Sequence, residues 1–158
     1  MRKGFTLVEL LIVISIIGVL AGFLFVNFSN VRERGRDSRR KNDLNQIKTA
    51  LRLYYNDYQK YPTDNGSGGI IGCGTLGDQV CTWGGSFGST DVQYMKLPLD
   101  PLNQGLYVYK YAQYGGDDGF RLTVYIENNS DPAAHNSQRD CGIAEVNLVD
   151  NLYMICSQ

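Results

Sequence analysis

Residues 5–28 form an apolar run of 24 residues that holds one charged side chain, Glu9. A helix of that length extends roughly 36 Å, enough to cross the hydrocarbon core of a bilayer with some tilt. Residues 29–43 are polar all round and contain no proline. Leu44, Ile47, Leu51, Tyr54 and Tyr58 then recur at alternating spacings of three and four, the signature of an apolar seam on one helix face. Asn42, Asp43, Gln46, Lys48 and Arg52 fall on the other faces. Pro62 excludes helical geometry from the residue before it, so the helix is predicted to end near Lys60. The pattern therefore predicts one helix of about 55 residues. Its first half suits lipid and its second half is glued to a head. Such a rod is shaped for side-by-side packing rather than for a small-molecule pocket.

The period then changes. Residues 63–88 are rich in Gly, Ser, Asp and Thr and read as a long loop, with short structure near Ile70-Ile71. Lys96-Leu97-Pro98-Leu99-Asp100-Pro101 reads as a rigid turn. Residues 106–114 alternate around Tyr107, Tyr109 and Tyr111. Phe120, Leu122, Val124 and Ile126 alternate with Arg121, Thr123, Tyr125 and Glu127, a half-buried strand. Tyr114-Gly115-Gly116-Asp117-Asp118-Gly119 connects the two as a hairpin. Residues 146–149 and 152–156 read as one or two further short strands. The predicted fold is α+β: a long N-terminal helix packed on a small antiparallel sheet that buries Leu44, Ile47, Leu51 and Tyr54.

A carboxylate within hydrocarbon costs about 2.5–3.5 kcal/mol at the centre of a span and less toward its ends. Glu9 lies one helical turn after Phe5, on the same face. If the chain is cut after Gly4, a charged amine appears at Phe5 and can neutralise Glu9 between neighbouring helices. Lys3-Gly4-Phe5-Thr6-Leu7-Val8-Glu9-Leu10-Leu11, followed by the apolar helix, resembles the processing signal of type IV prepilins and type II secretion pseudopilins. The resemblance implies a leader of residues 1–4, cleaved after Gly4 by a prepilin peptidase. It implies methylation of Phe5 and pairing of Glu9 with a neighbour's N-terminus during assembly. It also implies an assembly ATPase and a platform protein as partners, and a helix of residues 5–61 (5–28 transmembrane) carrying a head of residues 62–158. The Leu-Pro-Leu-Asp-Pro stretch is similar to one in major pseudopilins and related pilins. Gly18 and Gly22 form a GxxxG that allows close helix approach in a filament. Many relatives carry a proline around Val26, which this chain lacks.

Orientation carries a conflict. Only Arg2 and Lys3 precede the span, whereas Arg32, Arg34, Arg36, Arg39, Arg40 and Lys41 follow it, and a positive-inside count would keep the head in the cytoplasm. Large domains translocate largely regardless of charge, and four cysteines suit an oxidising side. The expected location is the bacterial inner membrane with the head outside, then a periplasmic or surface filament. Four cysteines allow three connectivities; the local pairs Cys73–Cys81 and Cys141–Cys156 are expected.

Candidate chemistry changes this picture little. Net charge is −1, which gives no bias toward nucleic acid, and no direct nucleic-acid binding is expected. His135 is the one histidine, in a stretch that reads as loop, and no hydrolase, P-loop or zinc-protease motif is present, so no enzyme activity and no cofactor are expected. Asp117 and Asp118 are a weak calcium candidate, as some pseudopilin heads hold a calcium loop, but the spaced acid pattern is missing. Asn128-Asn129-Ser130 fits a glycosylation acceptor. The leading function is a structural subunit of a type IV pilus-like filament, homo-oligomeric and membrane-anchored. The alternatives are an anchored binding or adhesion module that does not polymerise, and a secreted enzyme released by signal cleavage after Val19-Leu20-Ala21.

Overall fold

The computed structural model describes residues 4–116 and 118–157, with the backbone alone for 23–28. Its first element, α1 (Leu7–Tyr58), is one continuous helix of 52 residues. Gln59 closes it in a left-handed conformation, φ 55°, and donates its N–H to the Tyr55 carbonyl at 2.8 Å. The head follows as β1 (Ile71–Cys73), β2 (Gln79–Val80), β3 (Ser86–Gly88), β4 (Gln93–Lys96), β5 (Lys110–Tyr114), β6 (Gly119–Tyr125), α2 (Ala133–Asp140) and β7 (Leu152–Cys156). β1–β2 and β3–β4 are separate antiparallel hairpins, and β5, β6 and β7 form an antiparallel sheet in that order. The β3–β4 hairpin is tight enough to need glycine: Gly88 has φ +133°, and a Cβ there would lie 2.1 Å from the Val92 carbonyl oxygen.

The helical seam is the floor of the core. Leu44, Ile47, Leu51 and Tyr54 are buried against Phe87, Tyr111, Phe120, Leu122, Val124 and Ile155. β6 alternates as expected for a strand with one face inward, Phe120, Leu122 and Val124 being buried and Arg121, Thr123 and Tyr125 half-buried. Buried tyrosines find acceptors: Tyr111 donates to the Pro62 carbonyl at 2.6 Å and Tyr109 to Asp43 at 2.7 Å. Burial, then the Asp43 carboxylate, pushes the Tyr109 hydroxyl well above the ordinary tyrosine range. Tyr58, expected in the seam, is 47 % exposed.

Several sequence expectations are corrected. The 63–88 segment has the short structure expected near Ile70-Ile71, where β1 starts, but it also holds β2 and the start of the β3–β4 hairpin, so it is less of a loop than expected. Residues 146–149 make no strand; Glu145–Asn147 is a 3₁₀ turn. β5 begins at Lys110, because 106–109 is taken up by a turn in which Tyr107 donates to the Gln104 carbonyl at 3.0 Å. The stretch around His135 is not loop but α2. Asp131 accepts the Ala133 N–H at 2.9 Å and Pro132 supplies a helical φ of −64°, a start signal that composition alone conceals.

α2 covers the free edge of β7. Ser137 Oγ accepts the Met154 N–H at 3.0 Å, and the Gln138 side-chain amide donates to the carbonyls of Val149 and Leu152 at 2.7 Å each. At the opposite edge, β5 is met by the 64–68 loop: the Gly68 carbonyl accepts from Tyr111 N–H at 3.0 Å and Asp64 from Gln113 N–H at 2.9 Å. Both sheet edges are thus blunted against strand addition. Disulfides join Cys73 to Cys81 and Cys141 to Cys156. The second fastens the end of α2 to β7, and a loop of its 15-residue separation contributes about 3 kcal/mol in the chain-entropy account.

The seam continues below Leu44 with charge in place of carbon. Asp37 and Arg40 sit at the same spacing of three and four, and Arg40 is wholly buried. Its guanidinium donates Nε and Nη2 to Asp100 at 2.6 and 3.0 Å, and Nη1 to Asp37 at 2.7 Å and Glu127 at 2.5 Å. The Tyr107 ring lies 4.8 Å from it. Arg36 Nε reaches Glu127 at 2.7 Å. The acids exceed the bases by one, and backbone amides absorb the difference. Asp37 accepts from the N–H groups of Glu127 and Asn128 at 2.9 Å each, and Asp100 from Leu102 N–H at 2.8 Å. Helix, proline turn and the end of β6 therefore meet at one buried cation.

Removing a single partner of a buried charge cluster leaves the others uncompensated. Arg40→Ala is expected to destabilise the head by about 3–5 kcal/mol in chemical denaturation. An unchanged midpoint would mean that the cluster does not hold the head to α1.

Acid tests the same cluster. The Arg36 hydrogen bond, opposed by burial and reinforced by Arg40, draws the Glu127 carboxyl below its ordinary 4.5. At Asp131 burial pushes upward, but the Lys41 hydrogen bond and the Ala133 amide win, and its carboxyl also lies below the ordinary value. A depressed carboxyl stabilises the fold above its unfolded value and loses that contribution as pH falls through the folded one. Head stability should fall below about pH 4.5. Glu127→Gln should be less stable at pH 7 and lose less on further acidification, as melts across pH 3–7 will read. An acid limb identical to that of the parent chain would remove Glu127 from this account.

Candidate assembly site at the helix N-terminus

The opening of α1 is set by its cap. Thr6 is extended, with φ −86° and ψ 148°, and Leu7 begins the helix. Thr6 Oγ accepts the Glu9 N–H at 3.3 Å. One Glu9 carboxylate oxygen, Oε2, accepts from Thr6 N–H at 2.9 Å and from Thr6 Oγ–H at 2.7 Å. This reciprocal arrangement is a capping box, in which Ser or Thr is followed three residues later by Glu. The signal Thr6-x-x-Glu9 is legible in the sequence from its spacing alone, although the processing motif draws attention to Glu9 rather than to Thr6. It gives Glu9 a local role beside any intermolecular one: it satisfies an orphan amide at the positive end of the helix dipole.

From the cap to Leu20, α1 stands clear of the head. Phe5 is 80 % exposed, and Leu7, Val8, Leu10, Ile14, Ile17 and Leu20 are all exposed by more than half. Gly18 and Gly22 have open space where a Cβ would point, so each leaves its backbone bare on the helix surface. Gly4 is equally open. Among the described residues nothing covers this rod. A continuous apolar surface of such length marks a lipid or protein contact. Among the described residues no helix is long and apolar enough to cross a membrane. The expected 5–28 span includes the side chains of 23–28, which lie outside the described residues, as does the structure of residues 1–3 of the leader.

The remaining candidates lie elsewhere and do not converge. Asp118 accepts from the Tyr55 hydroxyl at 3.3 Å, and Asp117 is outside the described residues. Among the described residues no group of three or more His, Cys, Asp or Glu side chains is arranged to hold a metal. His135 Nε2 lies 3.1 Å from Asp150 at the surface. Asn128 is tied by its backbone to Asp37, and Asn129 accepts from the Asn151 side-chain amide at 2.6 Å.

A family model described as the prokaryotic N-terminal methylation motif matches residues 1–25. The type II secretion system core protein G of Pseudomonas aeruginosa is 30% identical over 122 residues, which cover 77% of this chain and 80% of that protein. The chain belongs to the type II secretion core protein G family. The core protein G of Aeromonas hydrophila is 27% identical over 132 residues, 82% of this chain and 88% of the relative. A type IV major pilin, PilA of Myxococcus xanthus, is 37% identical over 60 residues, 38% of this chain and 27% of the pilin. No solved structure matches the chain. For a core protein G relative, the uncovered N-terminal rod and its single capped carboxylate are the features that demand a partner.

Replacing an N-cap threonine by alanine costs roughly 1 kcal/mol of helix stability. Thr6→Ala is expected to speed amide exchange in the first turn of α1 several-fold while leaving exchange in β6 unchanged. Equal exchange in the two proteins would show that the cap does not hold Glu9.

Proposed function

We propose that this protein is a structural subunit of a type IV pilus-like filament, assembled through its N-terminal helix. The observation that carries the reading is the contrast along α1. The stripe from Asp37 to Tyr54 is buried in the head, whereas residues 7–20 expose their apolar side chains on every face. A helix apolar all round is stable only when buried in lipid or in other helices. A pilin-type subunit meets both surroundings in turn, first as a membrane anchor over 5–28 and then in the core of the filament.

In this reading the peptidase removes the leader through Gly4 and frees the Phe5 amine, which is methylated. The anchored subunit holds its head outside the inner membrane. Glu9 keeps one oxygen in the Thr6 cap and turns its charge to the Phe5 amine of an adjacent copy. That pairing sets the register before the apolar faces close. Gly18 and Gly22 supply the places of closest helix approach. The assembly ATPase and platform protein act on this intermediate. The work of the protein is polymerisation, not catalysis.

Glu9→Ala is expected to be cleaved to a Phe5 N-terminus and to insert in the membrane, yet to yield no filaments by electron microscopy. Filaments of normal length and number from that variant would refute the role of Glu9. A mature N-terminus other than Phe5 in the parent chain would refute processing as a prepilin.

A further inference from the structure

The outward face of β5–β6 and the 64–68 loop enclose a pocket of about 280 Å³. Strand register places Lys110 opposite Thr123 and Ala112 opposite Arg121. Lys110 and Arg121 are thus diagonal neighbours on one face, with backbones about 7–8 Å apart. Ser67 and Thr123 add hydroxyl groups to the lining. Asp64 stands in the wall, but both of its oxygens are engaged, Oδ1 by the Gly66 N–H at 2.7 Å and Oδ2 by the Gln113 N–H at 2.9 Å. Two cations face one committed carboxylate, which leaves the pocket one positive charge in excess.

Arg121 carries the sharper signal. Its guanidinium lies over the Tyr114 ring at 5.6 Å, and its Nε is buried with no acceptor. Among the described residues it is the one buried side-chain nitrogen or oxygen atom so left. A buried donor left without an acceptor destabilises the chain that holds it, and an arriving acceptor relieves that cost. The loop is fitted closely over the other cation. Gly68 has φ +93°, and a Cβ there would fall 2.9 Å from Lys110 Cγ. The wall of the pocket therefore requires glycine at this position.

We propose that this pocket receives a carboxylate, presented by an aspartate of an adjacent copy of the chain in the filament. Lys110 and Arg121 are its cationic partners, with the Ser67 and Thr123 hydroxyls as neutral donors. One excess positive charge matches a monoanion, whereas a phosphate dianion would leave net negative charge beside Asp64. Exposed Asp78, Asp91 and Asp140 have no hydrogen bond or ion pair among the described residues and are acids available to fill it. A contact between a pocket on one copy and an acid on the next is heterologous, and such contacts propagate into open helical polymers. The source of the carboxylate rests on the filament reading; the pocket itself does not.

Two measurements test this. Purified filaments are treated with a carbodiimide, which joins an amine directly to a carboxylate, and digested for mass spectrometry. An amide between Lys110 and an aspartate of another copy is expected, reduced in Arg121→Gln and lost in Lys110→Arg, which keeps the charge but forms no such amide. Separately, the Arg121 Nε–H resonance of the unassembled full chain in detergent is followed as sodium acetate replaces sodium chloride. A saturable shift, absent with chloride, is expected. A shift without the intermolecular amide would overturn the neighbouring copy as source and leave the pocket to a free carboxylate. If the chain proves to form no filaments at all, the filament reading fails, and the same shift leaves the pocket to a free carboxylate. No shift and no amide would overturn the proposal outright.

Discussion

One stripe of α1, Asp37-Arg40-Leu44-Ile47-Leu51-Tyr54, decides where the head sits and therefore what the helix leaves uncovered. Its upper four members are carbon-rich and take the three-stranded sheet. Its lower two are charged and take the proline turn and the end of β6. An arginine suits the lower position because a planar fork can engage three carboxylates at once, which an ammonium on a flexible stem cannot do with fixed geometry. The head is consequently locked to the second half of the helix by packing above and by charge below. N-terminal to this junction, the apolar side chains of residues 7–20 are left free of the head.

That freedom has a consequence for assembly. An apolar rod with a single acid near its tip can find its lowest energy only among other such rods or in lipid. The Thr6 cap gives Glu9 two local hydrogen bonds, so the acid is partly satisfied before any neighbour arrives. A capped carboxylate is also held in one orientation, which limits the approaches that a partner's amine can make. The head contributes differently. Both edges of its three-stranded sheet are blunted, by the 64–68 loop and by α2, so strand addition to that sheet is disfavoured.

Much of this was legible in the residues, and the rest was hidden for identifiable reasons. The 3–4 seam from Leu44 to Tyr54 and the period-2 strand at Phe120 were readable because burial imposes those periods directly. The Asp37 and Arg40 members of the same stripe fall in the stretch 29–43, which is polar all round and shows no buried face in the sequence. Charge normally marks exposure, and only the acids at positions 100 and 127, distant in sequence, reverse that inference. α2 carries no apolar period because its inward side chains are the small Ala134 and the polar Ser137 and Gln138, the last two acting through hydrogen bonds to a strand edge. The Thr6 cap was overlooked although its spacing to Glu9 is a local signal. The short strands of the 71–96 region carry too few residues for any period to show.

The central claim is that the uncovered N-terminal rod is an assembly surface organised by Glu9. The most direct measurement is a filament reconstruction resolved well enough to place side chains along the helical core. The account predicts the Glu9 carboxylate within about 4 Å of the Phe5 nitrogen of an adjoining subunit, the range of an ion pair. A polymer in which that carboxylate faces solvent or lipid, remote from the first residue of every neighbour, would contradict it.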